Sequence, residues 1–222
     1  MNDQHYNFWQ KQFANFPTII VANGEIPSSE LSLSILNDKK RRIICCDGAL
    51  QKLLSINVVP DVVVGDGDSM DAELLHRHKI PYYQDRSEEY NDLQKALKYC
   101  ISKGYDNILL MGCGGLREDH FIANLSIMAM YSETMAIAML TEHGVFNVVC
   151  GKATFNAYPG MQVSVFARNP QTHLTFTGLK YPVNDHSFKW LWEGSLNEAL
   201  EDSFIVEASD DEPVVVYRAF QS

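Results

Sequence analysis

The stretch VVVGDGDSM, Val62 to Met70, sets an apolar run directly before two aspartates held between glycines. Three consecutive valines read as a strand buried on both faces, which is the habit of parallel sheets covered by helices. The strand then stops on Asp66 and Asp68, two carboxylates at i and i+2 that repel each other unless something positive lies between them. For this stretch alone a solvated turn, or a cap for the helix that follows, is a sufficient account. Its surroundings change that balance.

Working outward, short apolar runs alternate with amphipathic segments. Pro17 to Ala22, Arg42 to Cys46, Asp61 to Val64, Asn107 to Met111 and Ala136 to Leu140 are the expected strands. Leu31 to Asn37, Ala49 to Ser55, Ala72 to His78, Asp92 to Lys103 and Phe121 to Tyr131 are the expected helices. This order predicts an α/β domain over residues 1–140, a largely parallel sheet flanked by helices. Beyond Thr141 the texture changes to short β-type runs: Val148 to Cys150, Gln162 to Ala167, His173 to Phe176, Phe204 to Glu207 and Val214 to Tyr217. They predict a smaller all-β sandwich or barrel over residues 141–222.

Four polar clusters fall at the carboxyl ends of these strands, the edge of an open α/β sheet where ligands bind. They are Asp47-Gly48, Gly65 to Ser69, Asp85 to Asp92, and Gly112 to His120. The pair Asp66 and Asp68 offers hard oxygen ligands suited to Mg²⁺, which is held by one or two carboxylates together with waters and phosphates. In GCGGLREDH, Gly112 to His120, Gly112, Gly114 and Gly115 let backbone N–H groups approach an anion, and Arg117 adds a fork for phosphate oxygens. The same nonapeptide also reads as a tight turn with Asp119 capping a helix and Arg117 paired on the surface, and it is not a P-loop. In SEEYNDLQKAL, Ser87 to Leu97, Asn91 or Asp92 can cap a helix, and Lys95 and Lys98 then read as ordinary surface charges.

Bulk composition narrows the chemistry. With 18 Lys and Arg against 28 Asp and Glu, the 222-residue chain has a net charge of -10. That disfavours nonspecific binding to nucleic acid or an anionic membrane, so an anionic substrate needs a local cation. The opening MNDQHYNFWQKQF is not an export signal, and no membrane span is expected. The five cysteines have neither C-x-x-C pairs nor zinc-site spacing and read as reduced thiols of a cytoplasmic protein.

In this order the motifs resemble those of the thiamin pyrophosphokinase family. Asp47-Gly48-Ala49 is similar to its D-G-[GA], Pro60 to Ser69 to its P-D-x-x-x-G-D-x-D-S, and Asn91-Asp92 to its T-D at a helix start. Gly112 to His120 with Asn124 resembles its G-x-x-G-x-R-x-D-H…N, and Gly178 to Pro182 its G-L-x-Y-P. The resemblance implies transfer of the pyrophosphoryl group of ATP to the hydroxyl of thiamin, giving thiamin diphosphate and AMP. It further implies a homodimer with thiamin at the subunit interface. Carried over by position, Asp66, Asp68 and Asp92 would hold Mg²⁺ and the triphosphate, with Asp119 a fourth catalytic carboxylate. Asp47, Gly48, Asn91, Gly112, Gly115, Arg117 and His120 would complete the nucleotide site. Ser195, Asn197 and Trp192 are the candidates for thiamin. The chain departs from the family where Glu88-Glu89 stands in place of Lys-Asp. Two other readings use the same residues: a metal-dependent phosphohydrolase with water as nucleophile, and a non-catalytic nucleotide or thiamin sensor.

Overall fold

The computed structural model describes residues 1–220. The chain divides into two compact units, one of Asn2–Met128 and Thr134–Glu142, the other of Ala129–Glu133 and the chain from His143 onward.

In the first unit the order is α1 (Asp3–Phe13), β1 (Thr18–Val21), α2 (Glu30–Asn37), β2 (Arg42–Cys46), a 3-10 turn at Asp47–Ala49, α3 (Leu50–Ser55) and β3 (Val62–Gly65). It continues through α4 (Ala72–His78), β4 (Tyr82–Gln84), α5 (Asp92–Ser102), β5 (Asn107–Met111), α6 (Glu118–Tyr131) and β6 (Ala136–Leu140). The six strands lie in the order β6-β5-β1-β2-β3-β4, and each neighbouring pair is parallel. Ile19, Ile20, Val63, Val64, Leu109 and Leu110 are fully buried, as the unbroken apolar runs predict. Burying each such side chain contributes about 1.5–3 kcal/mol.

Along the chain the sheet grows outward from β1 to β4, then returns to the other side of β1 with β5. The order therefore reverses between β1 and β5, the place where the carboxyl edge of an open α/β sheet offers a ligand crevice.

Two of the α-helices and strands of this unit were not expected. α1 has an Asn2 side chain accepting from the His5 N–H (2.9 Å) and buries Trp9 and Phe13, so an apolar stripe hides inside a polar opening. The three-residue β4 pairs with β3 at the edge of the sheet and is too short and too polar to stand out by pattern.

The second unit holds β7 (Gly144–Val149), β8 (Lys152–Asn156), β9 (Gln162–Ala167), β10 (His173–Thr177), β11 (His186–Ser187), β12 (Asn197–Glu198), β13 (Ser203–Ala208) and β14 (Val214–Ala219). Of these, β8, β11 and β12 were not expected either. Here β12-β9-β14-β7 are antiparallel neighbours, and β11-β10-β13-β8 form a second antiparallel sheet. β13 and β14 alternate buried and part-exposed residues, the pattern of strands with one face in a core. Arg218 links the two sheets, donating to the Asn156 carbonyl (2.8 Å) and the Asn147 Oδ1 (3.0 Å).

All five cysteines are free; Cys45, Cys46, Cys100 and Cys113 are buried, and Cys150 is exposed. Burial pushes the Cys100 and Cys113 thiols up to about 12, and the thiolate is the reactive form. Iodoacetamide at pH 8 is expected to add one adduct per native chain, at Cys150, and five after denaturation. Intact-mass spectrometry checks this, and rapid native labelling of Cys113 would contradict it.

Candidate active site

Three carboxylates from three elements converge beside the β2–β3 edge. Asp47 follows β2, Asp66 follows β3, and Asp92 opens α5. Asp47 is almost fully buried and accepts from the Gly48 N–H (2.7 Å) and the Gly67 N–H (3.3 Å). A Cβ on Gly65 would collide with the Asp47 carboxylate, which is the steric reason for glycine at the end of β3. Burial first, and then the Asp92 charge, raises the Asp47 carboxyl above the usual range.

Between Asp66 and Asp92 lies a cation that the sequence reading placed on the surface. Lys95 is only 2% exposed, and its Nζ donates to Asp66 Oδ2 at 2.6 Å and to Asp92 Oδ1 at 3.2 Å. Burial alone would pull the Lys95 ammonium down, but the bonds to the two aspartates outweigh it and raise the group. The hydrogen bond from Lys95 correspondingly lowers Asp66. One turn of α5 separates Asp92 from Lys95, so an i,i+3 acid–base pair is the signal that could have found it. It was outweighed because a lysine after a helix cap normally faces water.

Other candidates take varied places. The Asp68 N–H donates to Asp66 Oδ1 (3.1 Å), turning the chain back on itself, while the Asp68 side chain is exposed. Asn91 caps α5: its side chain accepts from the Gln94 N–H (2.9 Å), and Gln94 Oε1 accepts from the Asn91 N–H (3.4 Å). The Tyr82 hydroxyl is buried near the cluster without a hydrogen-bond partner among the described residues. Burial, then the charges of Asp47, Asp66 and Asp92, pushes it up to about 12.

A cleft of about 420 Å³ opens at the reversal of strand order. Its walls include Asn23 and Gly24 after β1, Gly112 to Gly114 after β5, Asn91 and Asp92 of the α5 start, and Arg117, His120 and Asn124 near α6. Two loops cross tightly here: the Gly24 N–H donates to Gly112 O (2.6 Å) and the Glu25 N–H to Gly114 O (2.7 Å). Lys52 fastens the crossing, donating to Asn23 O (2.6 Å), Asn23 Oδ1 (2.8 Å) and Gly24 O (3.0 Å). Asn124 holds the other loop through Cys113 O (2.8 Å). Neither Lys52 nor the Asn23-Gly24 loop carries a motif that sequence reading could use.

Arg117 lies in the cleft wall but forks onto Asp119, with Nε to Oδ1 at 3.0 Å and Nη2 to Oδ2 at 2.6 Å, both side chains exposed. Gly48 sits by the Asn23 side chain, and Gly115 borders a neighbouring hollow with Glu25 and Lys52. A second cleft, about 580 Å³, is lined by Asp66, Asp68, Arg86, Ser87, Tyr90 and Lys95 among others. The Asp66–Lys95–Asp92 cluster thus has Asp92 in one cleft wall and Asp66 and Lys95 in the other.

In the second unit, Asn197 is buried and clamps Tyr181, accepting from its N–H (3.0 Å) and donating to its carbonyl (2.8 Å). Ser195 Oγ donates to Trp192 O (2.6 Å), and Trp192 is 71% exposed.

A family model described as the thiamin pyrophosphokinase catalytic domain matches residues 33–139. A second, the thiamin pyrophosphokinase substrate-binding domain, matches residues 144–217. Among solved structures, a thiamine pyrophosphokinase from Bacillus subtilis is similar at 21% identity and a TM-score of 0.77, over 92% of this chain and 100% of that one. A thiamin pyrophosphokinase from Candida albicans is similar at 18% identity and 0.80, over 96% and 91%. The yeast enzyme is similar at 16% identity and 0.77, over 93% and 87%. No curated protein sequence matches the chain.

Proposed function

The chain belongs to the thiamin pyrophosphokinase family and is a transferase of that kind, and from this premise we propose how its residues perform the reaction. The observation that carries the reading is the Asp66–Lys95–Asp92 cluster at the carboxyl edge of a parallel sheet, beside a cleft at its switch point. ATP is the cosubstrate, with its nucleoside in the Gly24–Gly112 cleft and its triphosphate running toward the carboxylates. Gly112 to Gly115, Gly48, Asn91, Arg117 and His120 form the nucleotide walls. To meet a phosphate, Arg117 exchanges its exposed partner Asp119, a weakly held contact in water.

Among the described residues no group of three or more His, Cys, Asp or Glu forms a ready metal cage. The donors still fit Mg²⁺: the Asp68 carboxylate and Asp92 Oδ2 accept no hydrogen bond among the described residues, and hard oxygens are what this ion takes. Asp66, Asp68 and Asp92 would hold it. When bound, Mg²⁺ supplies neutralisation of charge on the transferring phosphoryl oxygens.

The thiamin hydroxyl oxygen bonds to the β-phosphorus, the bond from that phosphorus to the α–β bridging oxygen breaks, and AMP leaves. The hydroxyl proton needs an acceptor. Once Arg117 turns to a phosphate, Asp119 has both oxygens free to take it, whereas Asp92 Oδ2 is the oxygen left for Mg²⁺. Most of the acceleration comes from in-line positioning.

We place thiamin against the second unit, near Trp192, Ser195 and Asn197, and assign the working form as a homodimer with thiamin at the interface. Support comes from one segment that exposes Trp190 at 67%, Trp192 at 71% and Leu196 at 79%, an apolar density uncommon on a free surface. Leu196→Asp is expected to turn a dimer in sedimentation equilibrium into a monomer and to raise the KM for thiamin at least about tenfold. A wild-type monomer would sink this assignment. The free thiols accord with a cytoplasmic protein. Among the described residues no helix is long and apolar enough to cross a membrane.

The direct test incubates the purified chain with thiamin and Mg-ATP and separates the products. Thiamin diphosphate and AMP, formed only with both thiamin and Mg²⁺, are expected. ADP or phosphate released without thiamin would mean a phosphohydrolase, and binding without product a sensor.

A further inference from the structure

A buried ammonium needs a reason, because the other buried residues of α5 are Leu93, Ala96, Leu97 and Cys100, and an aliphatic residue at position 95 would be buried without the cost of desolvating a charge. The reason lies in what surrounds it. Asp47, Asp66 and Asp92 would otherwise gather three carboxylates with no positive charge among them. Lys95 supplies that charge and takes one oxygen from each of two of them, Asp66 Oδ2 and Asp92 Oδ1. These two residues are among the three ligands assigned to Mg²⁺ above, so the inference rests on that reading.

We propose that Lys95 is a resident counter-ion that makes the carboxylate cluster reject a free divalent cation and accept one only as its complex with a nucleoside triphosphate. A dication arriving alone meets a fixed ammonium already holding two of its ligand oxygens, and the two cations repel. Mg²⁺ also sheds water reluctantly, so a site that offers only part of its oxygens competes poorly with solvent. A metal–triphosphate complex arrives net negative. Toward that complex the same ammonium is attractive, and because it lines the second cleft it has a face from which to reach a phosphate oxygen. Lys95 therefore positions Asp66 and Asp92 in the empty enzyme and selects the form in which the metal enters.

The test is calorimetric and needs no turnover. The full-length wild-type chain is titrated with MnCl₂ alone, then with MnCl₂ in the presence of α,β-methylene-ATP, whose α–β linkage resists cleavage. Expected is weak binding of Mn²⁺ alone, on the order of millimolar, and binding at least about a hundredfold tighter for the complex. In K95M that preference should shrink from both sides, with Mn²⁺ alone at least about tenfold tighter and the complex at least about tenfold weaker. K95Q is carried in parallel, with circular dichroism confirming the fold of each variant.

Micromolar binding of Mn²⁺ alone to the wild type would overturn the proposal even if neither variant folds. Unchanged affinity for Mn²⁺ alone in a folded variant would overturn it too. If the wild type fails to bind the Mn²⁺–nucleotide complex at all, the metal–nucleotide reading itself falls, a result distinct from loss of selectivity.

Discussion

Asp66→Asn is expected to lower the rate of thiamin diphosphate formation by about a thousandfold at saturating substrates while leaving the chain folded. Asparagine keeps the Oδ1 that accepts the Asp68 N–H, so the turn after β3 survives. What disappears is the charge that faces Lys95 at 2.6 Å and that would face the metal. Lys95 is left with Asp92 as its ion partner, at 3.2 Å. Because Asp66 is only part-buried, the stability change should stay within about 1–2 kcal/mol. Asp68→Asn, at an exposed side chain without a hydrogen bond among the described residues, should cost about tenfold. Steady-state kinetics with a thermal melt decides this: a D66N enzyme within threefold of wild type would remove Asp66 from the chemistry.

Gly24→Ala should be the most damaging single methyl group in the first unit. A Cβ there would collide with the carbonyl oxygens of both Gly112 and Gly114, and the Gly24 N–H is itself bonded to Gly112 O. Backbone cannot yield as a flexible side chain can, so the two loops must part and the cleft between β1 and β5 must open. Overpacking of this kind costs about 1–3 kcal/mol and occasionally more. Affinity for ATP should fall about a hundredfold, because the backbone groups that line the cleft lose their spacing. Gly104→Ala is the control: that residue has a φ of 69° but nothing near its Cβ, so only the conformational cost of about 1 kcal/mol should appear. Equal melting temperatures for G24A and the wild type would show that the two loops part without cost.

The strands and helices that frame the site were legible because each announces itself locally. Val62 to Val64 is a continuous apolar run, and α4 was expected at Ala72 to His78 and is found at Ala72–His78. Asp47, Asp66 and Asp92 could be picked out because they recur at the carboxyl ends of successive apolar runs, in motifs whose order pointed to one family. Lys95 could not. Its burial depends on Asp66, twenty-nine positions earlier, being carried to the same place by a different strand. Lys52 was missed for a similar reason, since its three acceptors lie in Asn23 and Gly24, on another connection of the sheet. Arg117 and Asp119 are paired to each other, as one of the two readings of Gly112 to His120 had Arg117 paired on the surface.

By itself the amino-acid sequence determined the class of the chain, an α/β unit followed by an all-β unit, and the identity of the acids at the strand ends. Those features follow from periodicity and from residue types confined to short windows, which interactions between near neighbours are enough to express. The tertiary structure alone decided that Asp66 and Asp92 share one lysine, that Asp47 is buried behind a glycine, and that two loops cross at Gly24 and Gly112. Each of these is a meeting of residues distant along the chain, and the charge a residue feels is set by what folding brings beside it.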